Sequence, residues 1–362
     1  MTASSLPVLR PLGIGELLDQ AIRQYRRSFL NFIGILAVVQ IPIGLLQFVV
    51  SLVSVQTNPA LNASARNLDA PPSLSPAYLA SQAGTLFIVV VSFVLVQGVA
   101  TAAMTRAVAD NYLGTRTGFT EAYRRIGGAW LPLIGTLLVA ALVGMVLFIW
   151  LLVPCVGWAT GLGLLAFYSA VIVPLAAPIV VLEHKRGYAA LRRGWDLARR
   201  RFWAVVGFVA LMFLFNLIVV SGPNLIISAV FQGLILGAER GGNSATNLLT
   251  AQVIVQSLLT LVFSLLYVPL QLIGMTLLYF DLRVRTEGLD LAMLSQDAQA
   301  VAAAPTAEAV ITGQAPAAER GGLITGRDLG NFFLLSLGFF GIYVVLVGGI
   351  GLLIAALALG AR

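Results

Sequence analysis

The sequence predicts an all-α integral membrane protein: a six-span helical bundle of three hairpins, each preceded by a basic amphipathic interfacial helix, plus a tethered seventh span. Three observations carry that prediction. Of 362 residues, 59% are hydrophobic and only 10% are charged, with a mean hydropathy of +0.94. A water-soluble domain of that composition would expose far too much apolar surface. Runs of about 20 apolar residues, the length that crosses a hydrocarbon core as a helix, recur along the chain. They are continuous in Leu, Val and Ala, without the period-two alternation that a membrane barrel needs. Finally, short arginine-bearing stretches lead into apolar runs at Ile14 to Phe29, Phe119 to Trp130 and Tyr188 to Trp203.

In chain order, the first stretch sets Ile14, Leu17, Leu18, Ala21, Ile22, Tyr25 and Phe29 on one helical face. Glu16, Asp19, Arg23, Arg26 and Arg27 occupy the rest. Apolar runs follow at 29–54 and 83–108, separated by an irregular loop from Ser54 to Ala80 rich in Pro, Ser, Asn and Ala. The second stretch opposes Phe119, Ala122, Tyr123, Ile126 and Trp130 to Arg124 and Arg125. It opens the runs 129–153 and 156–182, which turn sharply at Val153 to Gly157. The third opposes Tyr188, Leu191, Trp195, Ala198 and Phe202 to Arg192, Arg193, Arg199, Arg200 and Arg201. Its runs, 203–232 and 250–280, turn at Gly237 to Asn243. Helices of this amphipathic kind lie in the interface plane before the chain enters the bilayer.

Residues 8–294 therefore form a six-span membrane domain. Residues 295–327, Ala-rich and carrying Pro305 and Pro316, read as a flexible cytoplasmic linker. Residues 328–362 read as a C-terminal transmembrane helix with its apolar run at 331–358. An N-terminus on the cytoplasmic side places every Lys and Arg except Arg66, Arg240 and Arg362 on that side. The C-terminus then falls outside. The net charge of +7 is thus a topology signal and implies no nucleic-acid partner. Arginines that recur up to the first run argue against a cleaved signal peptide at 1–28.

Little in the sequence suggests covalent chemistry. The single cysteine, Cys155, excludes an intramolecular disulfide and a cysteine-based zinc site. The single histidine, His184, sits in Glu183-His184-Lys185, a trio expected at a solvated helix exit. The zinc motif H-E-x-x-H, the G-x-S-x-G elbow and the phosphate loop are missing, so neither catalytic residue nor cofactor nor metal ligand is assigned. Gln40, Gln47, Gln97, Asn216, Asn224, Gln256 and Gln271 are polar groups inside apolar runs. Interhelical hydrogen bonds are their ordinary use. Lining a transport cavity with Gln40, Gln97, Asn216 and Gln271 is the alternative. At the exit from the sixth run, Asp281 with Arg285 and Arg283 with Glu287 are spaced i, i+4 for ion pairs, and Asp196 is a further candidate. Asp281 and Glu287 are also positioned to dock against Arg124, Arg192 or Arg193 of the amphipathic stretches.

Four cytoplasmic segments resemble one family in the same order. They are Arg10-Pro11-Leu12-Gly13-Ile14-Gly15-Glu16-Leu17-Leu18-Asp19 with Tyr25-Arg26-Arg27, and Tyr112-Leu113-Gly114 with Glu121-Ala122-Tyr123-Arg124-Arg125. The others are Ala190-Leu191-Arg192-Arg193-Gly194-Trp195 with Arg201-Phe202-Trp203, and the exit from Tyr279 to Leu291. Over residues 8 to 294 the chain resembles the bacterial glycerophosphoryl diester phosphodiesterase membrane-domain family. The resemblance implies a six-span module of the bacterial plasma membrane. It implies no phosphodiesterase activity, because the catalytic domain that accompanies such modules is missing and only one histidine is present. The expectation is a non-enzymatic protein that organises a partner protein, a second copy or anionic membrane lipid at its cytoplasmic face. Arg124, Arg125, Arg192, Arg193, Arg199, Arg200 and Arg201 are its candidate contacts. A transporter or permease for a small or lipidic solute is the alternative.

Overall fold

The computed structural model describes residues 11–57, 76–112, 118–240, 246–288 and 325–341, and no strand occurs among them. Among the described residues, six helical stretches are long and apolar enough to cross a membrane: Phe29–Val55, Gln82–Tyr112, Trp130–Leu151, Gly157–Glu183, Phe202–Ala238 and Asn247–Glu287. The protein is an all-helical, multi-pass membrane protein. Its helices are α1 (Ile14–Arg27), α2 (Phe29–Thr57), α3 (Pro76–Ser92), α4 (Thr101–Tyr112), α5 (Phe119–Ile126), α6 (Trp130–Leu151) and α7 (Leu162–Phe167). There follow α8 (Val173–Glu183), α9 (Tyr188–Arg199), α10 (Phe202–Asn216), α11 (Gly222–Arg240) and α12 (Thr246–Glu287), then α13 at 326–341.

Several boundaries differ from the sequence reading. The loop expected at Ser54 to Ala80 is helical up to Thr57 and again from Pro76. The turn expected at Gly237 to Asn243 is helical through Arg240. The last helix starts at 326, inside the expected linker, because Thr325 and Asp328 cap it. The Thr325 N–H donates to Asp328 Oδ2 at 2.9 Å, and the Asp328 N–H donates to Thr325 Oγ1 at 3.4 Å. The rest of the expected linker, the end of the seventh run at 342–358, and the domain bounds at 8 and 294 lie outside the described residues.

π-helical turns interrupt the spans at Phe93–Ala100, Gly157–Gly161, Tyr168–Ile172 and Leu217–Ser221. Two of them stand just ahead of Pro174 and Pro223. A proline removes the N–H that the carbonyl four residues earlier would accept, at Ala170 and Val219. A turn with i to i−5 bonding absorbs that loss. Accordingly the Val173 N–H donates to Tyr168 O and the Gly222 N–H to Leu217 O.

The chain divides into two compact units, Met1–Ile134 with Ala210–Phe280, and Gly135–Val209 with Asp281–Arg362. In the first, α1 buries Leu17 and Ala21, and α2 buries Phe32, Ile35 and Leu36. Glycines allow close approach here. A Cβ on Gly98 would lie 2.6 Å from Ile134 Cγ1, and one on Gly44 would lie 2.8 Å from Leu261 Cδ1. Tyrosine hydroxyls tie the short helices to span carbonyls. Tyr25 donates to Leu266 O at 2.9 Å and Tyr123 to Ile35 O at 2.6 Å. Leu266 lies one residue past the carbonyl of Leu265 that Pro269 deprives of its N–H, so the Tyr25 bond falls beside the proline.

In the second unit, α9 packs on α8 and on the π turn ahead of it. A Cβ at Gly194 would meet Ile179 Cδ1 at 3.4 Å and Leu175 Cβ at 3.7 Å, ordinary contact distances that mark how closely α9 lies on α8. α13 buries one stripe, Asp328, Phe332 and Ser336. Phe332 enters an aromatic cluster with Phe167, Trp195 and Phe202, at centroid distances of 5.8, 5.7 and 5.5 Å. Gly163 donates its N–H to Ser336 Oγ at 2.7 Å. The seventh apolar run thus packs on the fourth, a contact the sequence leaves open.

Candidate functional site

The second unit holds a buried charge cluster built from three elements. Glu183 ends α8, Arg193 lies mid-way along α9, and Arg283 and Glu287 lie one helical turn apart at the end of α12. Arg193 Nε is 3.0 Å from Glu183 Oε2, and its Nη2 contacts Glu287 Oε1. Arg283 Nε is 3.1 Å from Glu287 Oε2 and 3.9 Å from Glu183 Oε1. These four side chains are only 3–7% exposed. Lys185, more exposed, reaches Glu183 at 3.3 Å. Burial by itself disfavours the charged guanidinium of Arg193, but Glu183 and Glu287 outweigh it and hold its pKa above the ordinary arginine value.

A smaller cluster closes the corresponding place in the first unit. Asp110, near the end of α4, lies 3.3 Å from Arg106 Nε and 3.4 Å from Arg125 Nη1. Arg125 also holds Glu121 at 2.8 Å, and Arg124 holds it at 2.6 Å. The Arg125 hydrogen bond, aided by Arg124, keeps Glu121 below the usual carboxylate range. In both units a span exits on a buried acid, and an arginine of the next short helix binds it. The glycines beside those short helices also match. Gly127, closing α5, and Gly187, opening α9, adopt φ/ψ of 53°/−130° and 55°/−133°, which glycine tolerates and a side chain does not.

The candidate residues therefore separate. Arg193, expected as a lipid or partner contact, is buried and paired to Glu183 and Glu287 in the ion cluster. Much of α9 is buried: Ala190, Leu191, Gly194, Asp196, Leu197 and Ala198 along with Arg193. Arg192 and Arg199 bind Asp196 at 3.2 and 3.7 Å. Arg285 binds Asp281 at 3.0 Å. Arg200 and Arg201 are exposed, as are Arg23, Arg26 and Arg27 on α1, and Arg124 keeps 78% of its side chain exposed. Glu183, read from sequence as part of a solvated trio, is instead the acid at the cluster's centre, while its neighbour His184 is exposed in a left-handed conformation, φ 56°.

Gln40 donates to Ser264 Oγ at 2.6 Å, Gln97 is exposed, and Asn216 and Gln271 are half-buried. Asn224, bonded to Val220 O and Thr260, pins α11 to α12. Among the described residues no group of three or more His, Cys, Asp or Glu is arranged to hold a metal ion. Chemically, the buried cluster is a clamp in which each carboxylate is held by guanidinium groups. The exposed arginines are the groups left to meet an anion. Compared with family models, with curated proteins and with solved structures, the chain finds no match.

Proposed function

We propose that this is a non-enzymatic multi-pass protein of the bacterial plasma membrane that gathers anionic lipid at its cytoplasmic face. In this reading the spans pair into three hairpins with the N-terminus inside, and each of the short helices α1, α5 and α9 lies on the cytoplasmic side. One observation carries the reading: Arg200 and Arg201 stand exposed where α9 hands over to α10, beside an exposed Trp203, while Arg192, Arg193 and Arg199 are committed to carboxylates. Exposed cations next to an interfacial indole suit a headgroup layer. Each adds about 1 kcal/mol of attraction to an anionic leaflet. The likeness of the cytoplasmic segments to the phosphodiesterase membrane-domain family supports a membrane module of this kind.

Native mass spectrometry after reconstitution in mixed anionic and zwitterionic lipid tests the reading. Wild-type protein should retain anionic lipid preferentially, and Arg200→Gln with Arg201→Gln should lose that preference while keeping its zwitterionic adducts. Equal anionic retention in both proteins sinks the lipid reading. A co-purifying protein lost with the same double variant would point to a protein partner at this face instead.

A further inference from the structure

The geometry points to a second lipid site, distinct from Arg200 and Arg201: a groove in the second unit that takes one acyl chain of a membrane lipid. The cavity, about 450 Å³, lies between Trp158 and Leu162 on one wall and Phe333, Leu337 and Phe340 on the other, with Ser336 at its floor. That volume is within the range of small-ligand pockets, about 300–1,000 Å³.

Its chemistry selects the occupant. No charged side chain lines it. Its single polar side chain, Ser336, is 5% exposed, and its hydroxyl already accepts the Gly163 N–H at 2.7 Å. To a polar ligand the groove offers only the remaining Ser336 O–H and the Trp158 indole N–H, with no charge to pair. The rim, in contrast, is open: Trp158 is 67%, Leu337 57% and Phe340 62% exposed. Gly157–Glu183 is one of the six described stretches long and apolar enough to cross a membrane, so in the multi-pass reading the rim faces lipid. From Phe333 to Phe340 the groove follows two turns of α13, roughly 10 Å at 1.5 Å per residue. A linear chain fills such a slot, and Trp158 marks the end where indoles favour the headgroup layer.

In a bilayer the chain gains nothing by leaving water. What retains it is van der Waals contact on several sides in place of contact with mobile neighbours. The site rests on the multi-pass reading and is independent of the arginine reading, since Arg200→Gln with Arg201→Gln leaves the groove intact.

The test uses full-length protein in nanodiscs of phosphatidylcholine carrying a diazirine within one acyl chain, with photo-adducts mapped by mass spectrometry. Adducts on Leu151, Leu162 and Leu337 should exceed several-fold those on Leu142 and Val146, which are exposed on α6. Ala159→Trp, which fills the groove, should abolish that excess; Leu337→Trp fills it from the other wall should the first variant fail to fold. Equal labelling of groove and α6 positions would show ordinary boundary lipid only and overturn the proposal. So would a groove shielded from label whose photo-crosslinker at Leu337 captures residues 342–362 or a second copy.

Discussion

Arg193 and Glu287 form a buried ion pair that fastens α9 to the end of α12, and the same guanidinium holds Glu183 at 3.0 Å. Removing one member of a buried pair strands a charge, which costs about 3–5 kcal/mol, whereas an exposed pair contributes about 0–1 kcal/mol. Arg193→Met should therefore lower stability by several kcal/mol. Arg124→Ala, at a side chain 78% exposed, should be close to neutral. Unfolding in graded denaturing detergent checks both, and indistinguishable losses would mean that the cluster is solvated.

Gly163 should be intolerant of any side chain. A Cβ there would run into the carbonyl oxygen of Phe332 and lie 2.9 Å from Ser336 Oγ, so α13 would have to retreat. Overpacking of this kind costs about 1–3 kcal/mol. Gly163→Ala should lower the thermal midpoint. Gly330→Ala and Gly338→Ala, where a Cβ would meet nothing within 4 Å, should not. Equal midpoints for all three variants would refute the close approach of α13 to the fourth span.

The spans were legible because hydropathy over a bilayer's thickness is a property of the local sequence: the run expected at 129–153 is helical from Trp130 to Leu151. The i, i+4 spacings of Asp281 with Arg285 and of Arg283 with Glu287 are likewise visible in the sequence, and the structure forms both contacts, at 3.0 and 3.1 Å. Arg193 was not legible. A helical wheel assigns it to the polar face, but α9 has neighbours on more than one side, and only tertiary packing around Gly194 reveals that. Glu183 was hidden differently, since an acid beside His and Lys at a helix exit resembles any solvated end. Its best signal is the parallel with Asp110, another acid closing an apolar run a few residues ahead of an arginine-bearing helix. The π turns escaped because a proline reports the missing N–H but not which register the helix adopts to absorb it.

Capping by Thr325 and Asp328 should matter to the docking of α13. The paired hydrogen bonds satisfy N–H groups that the helix start leaves open, and Asp328 is 6% exposed. Losing such a cap costs about 1 kcal/mol. Asp328→Ala should lower the thermal midpoint in detergent, whereas Arg327→Ala, at an exposed neighbour, should leave it unchanged. A shift of equal size for both would place the effect in the charge of the segment and not in its cap.

Tyr25 gives the fold an alkaline limit. Burial against the first unit pushes its phenol from 10.0 up to about 12, and the hydroxyl donates to Leu266 O, a bond only the neutral form can make. Below pH 10.0 the phenol is neutral in folded and unfolded chains, and its contribution to stability is fully present. Between there and about pH 12 the unfolded chain ionises while the folded one resists, so the contribution is lost as pH rises. Tyr25→Phe should cost about 1 kcal/mol at neutral pH through the missing interhelical hydrogen bond. The stability gap between wild type and variant should then close across that alkaline window, because every other titrating group is common to both. Thermal midpoints measured along a pH series read the gap directly. A gap that stays constant through the window would show Tyr25 titrating alike in both states, and the clasp on Leu266 would then be absent.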